Sequence, residues 1–226
     1  IRNQIHRERS TDMKTNRMQL MSEGDVSKSL FKLGIPMVVS MLVTALYNVV
    51  DTYFVSGLGT QQVAAVSVAF PISFIFSGIG LTFGVGAGSY ISRLLGKQDM
   101  EKAHQVASTA MFSSVLTSII AAGIIYAMLT PVLTFMGATE TIMPFAKKYA
   151  VIFSTVFSAV NVTSGNLAVS QGASNISLTA MLTGAILNMV LDPILIYPFH
   201  LGVEGAAIAT LISQIVTLGI YIRFFA

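Results

Sequence analysis

Six long apolar stretches separated by short polar turns set the pattern of this chain. They fall at about residues 30–56, 64–92, 104–130, 145–170, 174–198 and 203–225. Each is long enough to cross a bilayer as a helix, which takes about 20 residues. The pattern predicts an all-α integral membrane protein with six spans. Residues 1–28 are polar and charged and lack the apolar run of a secretory leader. They are expected to form a poorly ordered cytoplasmic tail. The chain opens on Ile1, and Met13, Met18 and Met21 are alternative starts, any of which would make the first part of the tail non-native. Residues 29–226 are expected to form the transmembrane unit.

Composition removes the main rival. The chain is 54% hydrophobic and 10% charged, with mean hydropathy +0.74, whereas soluble domains carry about 25% charged residues. A soluble helical protein with so apolar an interior would lack the polar residues to cover it. With no cysteine there is neither disulfide nor thiolate metal site. No transition metal, cofactor or nucleic-acid partner is expected. No nucleophile–base pair or metal-ligand set marks an enzyme. His6, His104 and His200 lie in the tail or near helix ends and read as solvated.

The net charge of +3 matters less than where the cations sit. Lys28 and Lys32 precede the first span, Arg93, Lys97 and Lys102 surround the loop between spans two and three, and Arg223 closes span six. The loops at 57–62 and 199–202 carry no Lys or Arg. Positive loops favour the cytoplasm, so the N-terminus is expected inside a cell inner (plasma) membrane. Lys147 and Lys148, at the outer end of span four, run against the trend. The bias also excludes a dual-topology small transporter.

Topology then assigns depth to the few polar residues inside the spans. Asp192, in span five, costs roughly 2.5–3.5 kcal/mol at mid-membrane on insertion scales, so something must compensate it. Asp51 lies about five residues short of the outer end of span one. Asp192 and Asn188 lie about six and ten short of the outer end of span five, and Thr210 about seven into span six. At a rise of 1.5 Å per residue the four share one layer within roughly 8 Å. Asn188 and Asp192 are i and i+4 and share a face, with Gly184 one turn further along it to admit a neighbouring helix. Ser40, Thr44, Tyr47, Asn48 and Asp51 form a stripe on span one, and Thr210 and Gln214, beside Ser213, one on span six. Such stripes turn from lipid towards a bundle interior or a wet cavity. Tyr47, Asn48, Asn161 and Gln214 are candidate cavity-lining residues. For Thr210 the competing expectation is a bond to its own i−4 carbonyl. Glu204 reads as a solvated helix-start residue favoured by the dipole. The twelve methionines read as packing filler.

Prolines and glycines add backbone effects. Pro193 removes a donor and releases the carbonyl of Met189, and Pro71 does the same for Ser67. Both are expected to kink their spans, as broken helices beside carboxylates do in transporter ion sites. Gly78, Gly80, Gly84, Gly86 and Gly88 make span two pliable and closely packable. This is no nucleotide loop, because the strand–turn–helix context is missing.

Taken together, Tyr47-Asn-Val-Val-Asp51-Thr-Tyr-Phe-Val, Gly84-Val-Gly-Ala-Gly-Ser-Tyr-Ile-Ser-Arg-Leu-Leu-Gly96, Asn188-x3-Asp192-Pro193 and Gly202-Val-Glu-Gly205-Ala-Ala resemble the multidrug and toxic compound extrusion (MATE) family, in its bacterial multidrug-efflux form. The resemblance covers about residues 28–226. It implies half of a twelve-helix, two-lobe transporter, this chain being the first lobe, with a C-terminal lobe or a second chain as partner. It implies an antiporter exporting cationic lipophilic drugs through a lipid membrane in exchange for H⁺ or Na⁺. Carried over, it makes Asp51, Asn188, Asp192 and Thr210 the cation-binding set. Two carboxylates in low dielectric need a counter-charge, either a shared proton with coupled titration or a hard cation such as Na⁺ on oxygen ligands. The residues themselves leave both open. A lipid-linked sugar flippase of the same superfamily would call for cavity cations to hold phosphate, and no Lys or Arg interrupts the span interiors. A non-transporting half-sized membrane subunit is the third reading.

Overall fold

A computed structural model describes residues 26–153 and 155–225. Up to residue 25, the tail assigned to 1–28 lies outside the described residues, as does His6; helix begins at Val26, ahead of the expected boundary. The described residues form α1 (Val26–Ser56), α2 (Thr60–Ala69), α3 (Pro71–Gly96), α4 (Met100–Ala127), α5 (Leu129–Phe135), α6 (Met143–Phe153), α7 (Val156–Ser170), α8 (Ser174–Ile196) and α9 (Val203–Phe225). Five stretches are long and apolar enough to cross a membrane, and α6 with α7, bent by 42°, make a sixth if counted as one span.

The surface confirms the solvent these helices are built for. Leu42, Val49, Phe74, Phe112, Ile120, Ile186 and Ile222 are exposed, while Ser114, Ser118, Thr163, Asn188, Asp192 and Thr210 are buried. In water this distribution would be inverted. In lipid it leaves polar groups inside, where other helices satisfy them.

Two expected spans are broken helices. Span two runs from residue 60 to 96, longer than the expected 64–92, and changes helix at Phe70, with Pro71 opening α3. Proline fits there because the first helical amide has no partner to lose. Pro193, by contrast, lies within an uninterrupted α8. Span four breaks before Thr155, which is extended (φ −113°, ψ 154°). Its amide turns back to the carbonyl of Phe153 (2.9 Å), and the hydroxyl of Tyr126 on α4 donates to the carbonyl of Val151 (3.0 Å). Span three is shifted to 100–127 because Asp99 caps it, accepting from the Lys102 amide (3.2 Å).

The helices pack as a chain of neighbours. α1 lies mainly on α8, α8 on α9, α9 on α6 and α7, and α7 on α3, which also carries α4. α3 meets α7 through Gly80, Gly84 and Gly88. A Cβ on Gly80 would come within 2.6 Å of the carbonyl oxygen of Ala159, and one on Gly84 within 2.9 Å of the Asn166 Cβ. Gly78 and Gly86, on other faces, have open space. The largest apolar cluster, including Phe76, Leu133, Tyr149 and Ile196, closes one end of the bundle. This is the end at which α1 and α8 terminate.

Candidate functional site

The site forms where α1, α6, α8 and α9 meet near that closed end. Asn188 and Asp192, one turn apart on α8, are 1% and 0% exposed. The face that carries them also carries Gly184, Ser177 and Ala180, all small. Small residues let α9 approach, and a Cβ on Gly184 would collide with the Thr217 hydroxyl. This close approach brings Thr210 of α9 to Asn188. With its amide turned so that both partners are satisfied, Asn188 Nδ2 donates to Asp192 Oδ2 at 2.8 Å. Its Oδ1 then accepts from the Thr210 amide at 3.1 Å and the Thr210 Oγ1 at 3.2 Å. Thr210 is therefore joined to α8, as the depth count expects, rather than spent on its own helix.

α1 supplies the second carboxylate. Asp51 and Asp192 lie within hydrogen-bonding reach of each other. Tyr47, one turn earlier on α1, reaches the side chain of Thr210 and feels both carboxylates. One oxygen of Asp51, Oδ1, is buried with no hydrogen-bond partner among the described residues. An ionised carboxylate left so would be costly. Two carboxylates at contact range in an apolar surround repel strongly. A proton or a cation between them would relieve that repulsion. Among the described residues, no three His, Asp or Glu converge in a metal cluster.

Tyr149 of α6 belongs to the same group and escaped the sequence reading. It is 1% exposed, stacks on Phe153 (centroids 4.8 Å) and lies within electrostatic range of Asp51, Tyr47 and Asp192. The depth count could have found it, since it falls four residues into span four, in the same layer. A tyrosine in an apolar run reads first as packing, which hides it in the sequence.

The remaining polar residues divide. Asn161 and Gln214 come together one level away: Asn161 Nδ2 donates to the Gln214 carbonyl (2.9 Å), and Thr155 Oγ1 donates to Gln214 Oε1 (3.1 Å). Asn161 Oδ1 is buried without a partner among the described residues. Asn48 is exposed, and its carbonyl accepts from the Thr52 hydroxyl (2.7 Å). Ser40 and Thr44 donate to carbonyls of their own helix (2.8 and 2.9 Å). Of the α1 stripe, Tyr47 and Asp51 are the residues drawn into the group around Asp192. Glu204 is paired rather than simply solvated. Its Oε1 accepts from Lys148 Nζ at 2.5 Å, so one of the two lysines that ran against the charge trend is neutralised locally.

Known proteins resemble this chain in sequence and in fold. The MatE family profile matches residues 36–194. The chain is 31% identical over 217 residues to the multidrug export protein MepA of Staphylococcus haemolyticus, covering 95% of this chain and 48% of that protein. MepA of Staphylococcus aureus is also 31% identical, over 94% of this chain and 48% of its own. Among solved structures, MATE in complex with MaD3S superposes with TM-score 0.87 at 34% identity, covering 92% of this chain and 48% of that one. A MOP superfamily transporter from Pyrococcus furiosus superposes with TM-score 0.84 at 34% identity, over 92% and 47%. The chain spans about half the length of each of these proteins. With the family profile covering most of its spans and these relatives matched along nearly its whole length, the chain belongs to the MatE family of membrane transporters.

Proposed function

We propose that this chain is the ion-coupling N-terminal lobe of a multidrug antiporter that exports cationic lipophilic compounds in exchange for H⁺ or Na⁺. The observation that carries the proposal is the pairing of half-buried Asp51, with its enclosed and unpartnered Oδ1, and buried Asp192, an arrangement that calls for a positive occupant. Binding that occupant removes the repulsion between α1 and α8, and releasing it restores the repulsion. Ion occupancy thereby becomes a force on α1, which packs mainly on α8. Asn188 orients Asp192 and is held in turn by Thr210; a metal cation would have to draw their oxygens away from the Asn188–Thr210 contact. The drug pathway would run between this lobe and a second lobe, on a second half of the polypeptide or a partner chain. The loop charges favour a cytoplasmic N-terminus in a plasma membrane.

The test uses everted vesicles carrying the protein as its gene encodes it, with ethidium as probe under an imposed H⁺ or Na⁺ gradient. Gradient-driven ethidium movement is expected, and the gradient that drives it identifies the coupling ion. It should vanish in Asp192→Asn. Movement at the unmodified rate in that variant would remove the carboxylate pair from the coupling role. For sidedness, single cysteines can be introduced without background because the chain has none. Gly59→Cys and His200→Cys are expected to react from outside the cell, and Gln98→Cys only after permeabilisation.

A further inference from the structure

We infer that Tyr197 is a positioning residue for the carboxylate pair: its hydroxyl fastens the end of α1 to the end of α8 and holds Asp51 in register with Asp192. The inference deepens the coupling reading of the site and rests on it.

The geometry begins with a helix end. The last carbonyls of a helix have no partner within it. At the end of α1 the Leu58 amide donates to Val55 (3.0 Å) rather than to Phe54, and the Phe54 carbonyl keeps a long contact from the Gly57 amide (3.3 Å). The shorter donor to Phe54 comes from across the interface, the Tyr197 hydroxyl at 3.0 Å. Gly57 makes room for it, since a Cβ there would collide with that hydroxyl. Tyr197 is itself the C-cap of α8, with its amide on the Pro193 carbonyl (3.3 Å). The α8 end is fixed in turn by α9, because Gly205 approaches so closely that a Cβ would lie 2.8 Å from the Leu195 carbonyl oxygen. The fastening thus joins the loosely held helix to the firmly held one.

Its position makes it matter. Phe54 lies three residues beyond Asp51, within a turn of the helix, and Tyr197 five beyond Asp192. α1 makes most of its contacts with α8 and few with other elements. Its large side chains Leu42, Leu46, Val49 and Tyr53 are exposed. Few other contacts oppose a slide or tilt of α1 along α8. A rise of 1.5 Å per residue means that a shift of one residue would break the register of the two carboxyls. The Tyr197 hydroxyl supplies a fixed point one turn from the pair. When the carboxylates repel, α1 can swing about that point instead of leaving α8.

Two variants separate this role from general packing. Tyr197→Phe deletes only the hydroxyl. Gly57→Ala keeps the hydroxyl and blocks its seat. Spin labels on Ser56→Cys and Glu140→Cys, both exposed at the same end of the bundle, report where the α1 end lies without reference to transport. Both variants are expected to broaden that distance distribution and to weaken the apparent affinity for the driving cation about two- to tenfold, the range one hydrogen bond supplies. Maximal ethidium transport at saturating cation should be retained. Unchanged distances with unchanged cation dependence in both variants would overturn the inference. A uniform loss of transport without a change in cation affinity would overturn it too, marking Tyr197 as mere packing. If the unmodified protein shows no cation dependence while the distances still broaden, the coupling reading fails and the fastening stands.

Discussion

Two buried polar regions of this protein behave in opposite ways. In the α3–α4–α7 seam, Ser114 and Thr163 share a hydrogen bond (2.7 Å), Ser118 donates to the Ser114 carbonyl (2.6 Å), and Thr163 contacts the carbonyls of Ala159 (2.9 Å) and Gly80 (3.3 Å). Each of these hydroxyls has a partner, and the helices touch through glycine. At the α1–α8 site, carboxylates face each other and Asp51 Oδ1 has no partner among the described residues. Both regions are buried and both are polar. The seam is neutral and internally satisfied, so it holds helices together. The site leaves a carboxylate oxygen without a partner, the feature on which the proposed occupant rests. Polarity inside a membrane bundle does not by itself mark function, whereas an unmet demand for charge or hydrogen bonds does.

The comparison can be broken most forcefully at the carboxylates. Asp192→Asn is expected to reduce cation-driven ethidium transport about a hundredfold or to background. Thermal unfolding in detergent should change little, because the isosteric amide relieves repulsion. A large loss of stability with transport intact would mean that the site is structural after all.

The glycine seam should respond the other way. Gly80→Ala and Gly84→Ala are each expected to destabilise the bundle by about 1–3 kcal/mol through overpacking, measured by thermal unfolding of the purified protein. Gly78→Ala and Gly86→Ala, which meet open space, serve as controls and should be neutral or slightly stabilising. Equal effects at all four positions would contradict the one-sided seam.

Smaller effects sharpen the contrast. Ser114→Ala should cost about 1 kcal/mol, the net worth of one hydrogen bond, with cation dependence unchanged. Lys148→Met should alter stability by less than about 1 kcal/mol, since an exposed ion pair contributes little. A pronounced change in cation dependence from either would show that the site extends beyond the residues around Asp192.

Much of this organisation was legible in the chain. Asp51, Asn188, Asp192 and Thr210 came together from span direction and rise per residue alone, because a membrane fixes helix ends and so converts sequence position into depth. Face was less legible than depth. Asn48 shares the helical stripe of Tyr47 and Asp51 yet is exposed, since a stripe is wider than the face α1 turns to α8. Tyr149 was legible in depth and hidden in kind. The Lys148–Glu204 pair was hidden altogether, because it joins residues 56 apart in the chain.

By itself the sequence determined the membrane class, the approximate places of the apolar stretches, the layer in which the polar groups sit and the family likeness. Those follow from apolar run length, charge in the loops and the high energetic cost of a carboxylate in lipid. Only the tertiary structure decided which helices are neighbours, which glycines make contact and that Tyr197 seats on α1. It also decided that Asp51 is left with an unpartnered oxygen. Those depend on lateral packing within the bilayer plane, a direction that hydropathy and helical rise do not specify.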